Sequence, residues 1–340
     1  MSVTAKQIVL ASRPNGPVGR ENFRLETKEL GAPDVGEVLI KVTAMSLDPY
    51  MRGRMDDAKS YAKPVEVDGV MEGGTVGEVL ESNADGIAPG DKVFGMTGWC
   101  DHAIMRAKDL RKLPDGVPET TALGVLGMPG FTGWYGLTEI GEPKEGETLV
   151  VAAATGPVGS MVGQYAKHKG LKVIGIAGGE EKCAHAVEKF GFDACLDHRG
   201  FSDAKDARAQ IGAACPDGID IYFENVAGKV LEGVLPNMNT FGRIPICGMI
   251  AFYDTGGTAE SYDLPKFWRS MLVNRMRAQG FIISDHFDRF PAFLKDVAPL
   301  VANGTIKFTE DVAEGLENAP DAFMSMLKGG NFGKQIVRIS

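Results

Sequence analysis

Histidine and cysteine, the usual donors of protein zinc sites, are sparse in this sequence, with five of each in 340 residues. Cys100, Cys183, Cys195, Cys215 and Cys247 are odd in number and scattered, which argues against a disulfide framework and for reduced thiols. No chemistry is assigned to them. His102, His168, His185, His198 and His286 show no ligand spacing. No apolar run reaches the length needed to cross a bilayer, and Met1 to Lys6 lacks the charged and apolar blocks of a signal peptide. The expectation is a cytoplasmic protein with no membrane partner. An excess of positive charge is missing too: 36 Lys and Arg face 45 Asp and Glu, and the net charge of -9 opposes nucleic acid as the main partner. Glycine, by contrast, is abundant at 44 residues, while 44% of the chain is hydrophobic. That combination fits an α/β protein with many tight turns, not a disordered chain, and the length suffices for two domains.

The chain is organised around Thr148 to Gly178, which reads as strand, glycine turn, helix, strand. Leu149, Val150 and Val151 lead into Ala154-Thr155-Gly156-Pro157-Val158-Gly159-Ser160, a dinucleotide-binding fingerprint with alanine at the first glycine position. Gly156 lets backbone approach a pyrophosphate, and Gly159 permits close packing of helix on strand. The amides opening the helix carry partial positive charge. A plain structural turn would use glycine as well; the flanking strands favour nucleotide binding. From about 126 to 265, alternating strands and helices predict a doubly wound parallel sheet, with strands at 148–153, 172–177, 194–197, 219–224, 242–247 and 276–282. Pro245 predicts a short or bulged fifth strand. Residues 1 to about 125 are β-rich and suggest a small barrel. Residues 293–301 and 320–327 read as helices, and 333–339 as a strand returning to the first domain.

Pro89-Gly90-Asp91-Lys92-Val93 and Glu72-Gly73-Gly74-Thr75-Val76-Gly77-Glu78-Val79 resemble loops of the medium-chain dehydrogenase/reductase superfamily. Where its zinc-dependent branch carries a cysteine ligand and a His-Glu pair, this chain has Ala44-Met45-Ser46 and Val70-Met71-Glu72, and the cysteines of a structural zinc lobe are missing. No metal is expected. Asp48-Pro49-Tyr50-Met51-Arg52, Gly127-Met128-Pro129-Gly130-Phe131-Thr132 and Asn331-Phe332-Gly333-Lys334 narrow the likeness to the zinc-independent double-bond reductases that include prostaglandin reductase and bacterial curcumin reductase. The resemblance implies a Rossmann-type domain over residues 126–299 and a discontinuous β-rich, GroES-like barrel domain over 1–125 and 300–340. It further implies a homodimer joined through Rossmann sheet edges.

An acid near the end of the second strand takes the ribose hydroxyls in NAD-binding folds, whereas NADP needs room and a cation for its 2′-phosphate. Here the strand runs into Gly178-Gly179-Glu180-Glu181-Lys182, and Lys182 falls where the resembling reductases place a phosphate-binding lysine. NADPH is therefore the expected cofactor; the competing reading of Lys182 is a solvated residue paired with Glu180 or Glu181. By position, the resemblance carries cofactor contacts onto Met128, Thr132, Thr155, Gly156, Pro157, Val158, Gly159, Ser160, Gly178, Lys182, Asn225, Cys247, Gly248, Met249, Ile250, Tyr253, Phe281, Ile282, Ile283 and Asn331. His198 replaces a family tyrosine, with Arg199 as an alternative cation. Asn225 and Asn331 also suit turns, and Met128 and Thr132 also suit a helix cap.

Without a metal, hydride addition to a conjugated carbon–carbon double bond is feasible, because the conjugated carbonyl accepts the charge as an enolate. Tyrosine hydroxyls suit that oxygen, being neutral donors at neutral pH. Tyr253 follows the fifth strand and matches an active-site tyrosine of the resembling reductases; Tyr50 lies in a family motif, and Tyr61 is a weaker candidate. The expected activity is NADPH-dependent reduction of α,β-unsaturated ketones or aldehydes, with the physiological substrate open. Quinone reduction on the same scaffold and a non-catalytic NADPH-binding protein are the alternatives.

Overall fold

A computed structural model describes residues 2–254 and 264–339. It divides into two compact units, Met1–Gly127 with Glu310–Ser340, and Met128–Thr309. In chain order the first carries strands Val3–Leu10 (β1), Phe23–Leu30 (β2), Glu37–Ser46 (β3), Thr75–Ser82 (β4), Lys92–Gly95 (β5), His102–Arg106 (β6) and Arg111–Lys112 (β7), and one helical turn, Met51–Arg54 (α1). The second begins with helix Met128–Tyr135 (α2) and alternates Thr148–Ala152 (β8), Pro157–His168 (α3), Lys172–Ala177 (β9), Glu180–Glu188 (α4), Ala194–Asp197 (β10), Ala204–Ala214 (α5), Ile219–Phe223 (β11), Gly228–Val234 (α6), Met238–Ile246 (β12), Leu264–Asn274 (α7), Arg277–Gly280 (β13) and Phe290–Ala302 (α8). The chain returns to the first unit through Glu310–Glu314 (β14), Ala319–Leu327 (α9) and Lys334–Arg338 (β15).

In the second unit six parallel strands lie in the order β10-β9-β8-β11-β12-β13, the doubly wound arrangement with its switch point between β8 and β11. Every residue of β8 is buried, as a strand covered on both faces requires, which is why Leu149 to Ala152 form an unbroken apolar run. Val150, Ile174, Ile176, Tyr222 and Ile244 form the centre of one core layer with Ala207 and Ile211 of α5. Residues 303–309 stay with this unit: the Gln164 side chain bonds Lys307 through both its amide and its carbonyl, and His185 and Lys189 both reach Thr309. Pro245 neither shortens nor bulges its strand. β12 spans nine residues, its irregular register lies upstream between the Ile219 and Ile221 pairs, and the Pro245 carbonyl accepts from the Glu224 amide.

The first unit is the β-rich domain expected, built on mixed ladders. A seven-stranded mixed sheet runs β14-β15-β3-β4-β5-β7 with β6 also on β3, and β1 and β2 form a separate ribbon. Strand β3 is the hub of this sheet. It pairs β6 along Glu37–Lys41 and β15 along Ala44–Ser46, switching partners at Thr43, where its register on β4 also shifts. The ribbon is held by single bridges, Gln7 to Cys100 and Val9 to Val70, and by a core in which Trp99 stacks on Phe23 at 5.5 Å.

Candidate active site

The carboxyl ends of the parallel strands gather most of the residues singled out from sequence. After β8 the chain turns through Ala153, whose φ of 53° is unusual for a residue with a side chain, and Gly156 caps α3 without a side-chain bond. A Cβ on Gly159 would lie 2.2 Å from the Ala153 carbonyl oxygen, so this glycine is fixed by sterics. Pro157 opens the helix, and Ser160 donates its amide to Gly156. Helix geometry leaves the Val158 and Gly159 amides without an intrahelical acceptor, beside buried Thr155 and Ser160. This is a backbone cradle for an anion.

At the end of β9 a second cluster forms. A Cβ on Gly178 would come within 2.9 Å of His198 Nε2 and 3.2 Å of Arg199 Nε, and one on Gly179 within 3.3 Å of the Arg199 guanidinium. Loss of water lowers the His198 pKa, and Arg199 and Lys182 lower it further against the pull of Asp197. Lys182 and Arg199 are therefore both close enough to act on the His198 charge. Asp197 is committed elsewhere, its Oδ1 accepting from the Gly179 and Arg199 amides at 2.8 and 2.9 Å.

Asn225 spans the switch point, donating from Nδ2 to the Ala152 carbonyl at 2.8 Å, while its own carbonyl accepts from Ile250. Beneath it Glu224 is 2% exposed. Its Oε1 accepts from the Tyr222 hydroxyl and from the Val226 and Ala227 amides, and its Oε2 is buried without a hydrogen-bond partner. Burial raises its pKa against those bonds. The Glu224 carbonyl in turn accepts from Cys247 and Gly248, fixing the loop that carries Met249, Ile250 and Tyr253. The Tyr253 hydroxyl lies over Gly248 and accepts from the Met249 amide at 3.1 Å. Burial pushes the Cys247 thiol up to about 12, so it is a neutral wall residue.

Thr132 does not cap α2. Its hydroxyl donates to the Met128 carbonyl one turn back, and neighbouring Gly133 brings α2 against Val158 and Val162 of α3. Phe281 packs on Gly136 and Tyr135, and Ile282 and Ile283 follow β13 half-buried.

Tyr50 and Asn331 belong to the other unit. Asn331 makes a turn bond to the Gly333 carbonyl at 2.7 Å. Burial, with Asp48 and Glu72 adding to it, raises the Tyr50 pKa well above its ordinary value, so its hydroxyl stays protonated. The Arg54 guanidinium lies 5.5 Å from the Tyr50 ring and 4.4 Å from that of exposed Tyr61. Two motifs far apart in sequence meet here: Lys334 Nζ reaches Asp48 at 2.6 Å and the Leu47 carbonyl at 2.7 Å, both side chains being buried. Sequence reasoning passed over Glu224, Arg54 and this pair. The only signal for Glu224 was a lone acid closing an apolar strand.

Zinc does not fit the donor set. Met45 and Met71 are buried apolar residues, Glu72 is engaged by Arg54 at 3.1 Å, and among the described residues no group of three or more His, Cys, Asp or Glu is arranged to hold a metal.

Fold and site together define a nucleotide-dependent oxidoreductase of two units. Residues 6–113 match the model described as the N-terminal domain of oxidoreductase, and residues 157–298 match that described as zinc-binding dehydrogenase. The chain is 51% identical over 335 residues, 98% of its length and 96% of the relative's, to NADPH-dependent curcumin reductase from Escherichia coli K12. It is 39% identical to the NADP(+)-dependent 2-alkenal reductase of Nicotiana tabacum, covering 99% of this chain and 98% of that one. The crystal structure of CurA from Vibrio vulnificus in complex with NADPH superposes with a TM-score of 0.92 at 49% identity, over 98% of this chain and 99% of that one. The chain belongs to the zinc-independent reductases of the medium-chain dehydrogenase/reductase superfamily.

Proposed function

We propose that this protein is an NADPH-dependent 2-alkene reductase acting on carbon–carbon double bonds conjugated to a ketone or aldehyde. The observation that carries the reading is the placement of His198 and Arg199 against Gly178 and Gly179, with Lys182 near enough to act on His198, in a chain related along its whole length to NADPH-dependent reductases. NADPH, when bound, supplies the hydride that goes to the substrate β-carbon. The Val158 and Gly159 amides hold its pyrophosphate, and Lys182, His198 and Arg199 its 2′-phosphate. With its pKa lowered, His198 is neutral at pH 7, and a dianionic phosphate draws the proton back.

Tyr253 donates its O–H to the substrate oxygen on which the enolate charge gathers, and the Met249 amide that it accepts strengthens it as a donor. Tyr50, held protonated, is the second candidate donor. In this reading residues 128–309 bind the dinucleotide and the β-rich unit is the substrate domain. The protein works in the cytoplasm as a homodimer. β13 is an edge strand, and Trp268, Leu272 and Val273 of neighbouring α7 are exposed, which favours sheet-edge association.

NADPH absorbance followed with enones, saturated ketones, alcohols and quinones tests the reading; turnover of quinones without any enone would replace it with quinone reduction. Tyr253→Phe should lower turnover on the order of 10- to 1000-fold while leaving NADPH affinity little changed. Wild-type turnover in a variant whose rate is limited by hydride transfer, shown with deuterated cofactor, would remove Tyr253 from this role. Light scattering at micromolar concentration gives the oligomeric state.

A further inference from the structure

Cys183 and Cys195 are not isolated thiols. Cys183 lies in the first turn of α4 and Cys195 within β10, 12 residues apart in sequence, yet their sulfurs are 2.9 Å apart. Both are half-buried, so neither is sealed from solvent. Gly175, paired with Cys195 across the sheet, makes the room: a Cβ there would stand 3.2 Å from the Cys195 sulfur and 2.8 Å from Ala154. The Cys195 thiol donates to the Cys183 sulfur, and the Ala177 backbone acts on both sulfurs. These bonds lower the Cys183 pKa, the Cys195 hydrogen bond most of all, against burial, while Cys195 is raised by the same pairing and by burial. The two sulfurs thus lie within reach of one another, with Cys183 the readier to lose its proton, the arrangement of a redox pair.

We propose that Cys183 and Cys195 are a modification site at which a hydroperoxide forms a reversible disulfide linking α4 to β10. Closing the sulfurs from 2.9 Å to a bond of ~2.05 Å moves them by about 1 Å. The Cys183 thiolate attacks the peroxide: an S–O bond forms, the O–O bond breaks, and an alcohol or water leaves with the available proton. The sulfur is oxidised to a sulfenic acid and the peroxide is reduced. The Cys195 sulfur then attacks Cys183, the S–S bond forms, the S–O bond breaks, and water carries off the Cys195 proton. Two thiols and one hydroperoxide give one disulfide, one alcohol or water, and one water. Lys182 precedes Cys183, and β10 runs directly into His198 and Arg199, so the disulfide ties together both arms of the cationic cluster. This coupling, unlike the disulfide itself, rests on the NADPH reading.

The test exposes the purified full-length protein to hydrogen peroxide, counts thiols after denaturation and maps peptides by mass. The expected result is loss of two of the five thiols, a single linked peptide pair containing Cys183 and Cys195, and full recovery with dithiothreitol. In Cys195→Ser, dimedone should trap a sulfenic acid at Cys183; in Cys183→Ser neither adduct nor disulfide should form. Retention of all five thiols, or oxidation spread evenly over the cysteines, overturns the site. A several-fold change in KM for NADPH with that for NADH steady supports the coupling, and equal KM values before and after oxidation overturn it while thiol counting judges the disulfide independently.

Discussion

Lys334 and Lys182 both stand near carboxylates, yet the two units use them in opposite ways. Lys334 is 3% exposed, 2.6 Å from Asp48, and draws together the Asp48-Pro49-Tyr50 and Asn331-Phe332-Gly333 segments. Loss of water lowers its pKa, and Asp48 holds the charge in place. Lys182 sits half-exposed at the start of α4 and shares its neighbourhood with His198 and Arg199, while nearby Asp197 spends its carboxylate on backbone amides. A buried cation held by a carboxylate organises a fold; cations gathered at the exposed end of a strand are placed to meet an anion. The first arrangement is closed within its own unit, and in the proposed reading the second meets the cofactor phosphate.

The largest effect should come from breaking the complete pair. Asp48→Asn leaves the Lys334 ammonium buried with only the Leu47 carbonyl and a neutral amide, at a cost of ~3–5 kcal/mol. Chemical denaturation reads this as a lower midpoint, and Lys334→Met in the Asp48→Asn background should return part of the loss by removing the stranded charge. A decrease of under about 1 kcal/mol would show that the pair does not hold the two segments.

At the open cluster the effect should fall on cofactor choice. Lys182→Ala removes a charged hydrogen-bond donor worth ~1.5–3 kcal/mol, an increase of about 10- to 100-fold in KM for NADPH with little change for NADH. Equal losses with both cofactors would show that Lys182 serves only the helix, and the contrast with Lys334 would disappear.

How far these two regions were legible in the sequence follows from their physics. The order of strands and helices in residues 148–302 was readable because fully buried parallel strands leave unbroken apolar runs and each glycine turn serves a local steric need. Lys182 and His198 were singled out through the family resemblance, which aligns the residues that follow these two strands. The Asp48–Lys334 pair was not, since its partners are 286 residues apart and neither has a local pattern. The strand partners within the first sheet were also hidden: the change of partner at Thr43 is set by which strands arrive on its side, which no stretch of β3 encodes.

Glu224 stands between the two cases, a carboxyl buried like Asp48 but lacking a cation. Burial raises its pKa, so the sign of its linkage is opposite to that of a paired carboxylate. Below the ordinary carboxylate range of ~4.3 both folded and unfolded states hold the proton, and the group has no effect. As pH rises past that range the unfolded chain releases its proton while the folded chain keeps it, and stability falls until the folded pKa is passed. Glu224→Gln keeps a carbonyl oxygen to accept from Tyr222, Val226 and Ala227, and removes the titration. The stability difference between variant and wild type should therefore move in the variant's favour by about 1 kcal/mol, the scale of one buried polar atom left unpaired, between pH 4 and pH 8. The carboxyl fixes residues 226–227, while backbone carbonyls of Glu224 and Asn225 hold the loop with Ile250 and Tyr253, so turnover should change little if the acceptor geometry survives. Thermal midpoints across that pH range decide it: a difference that stays flat, or moves toward the wild type, would mean that Glu224 is ionised and stabilised in the folded protein.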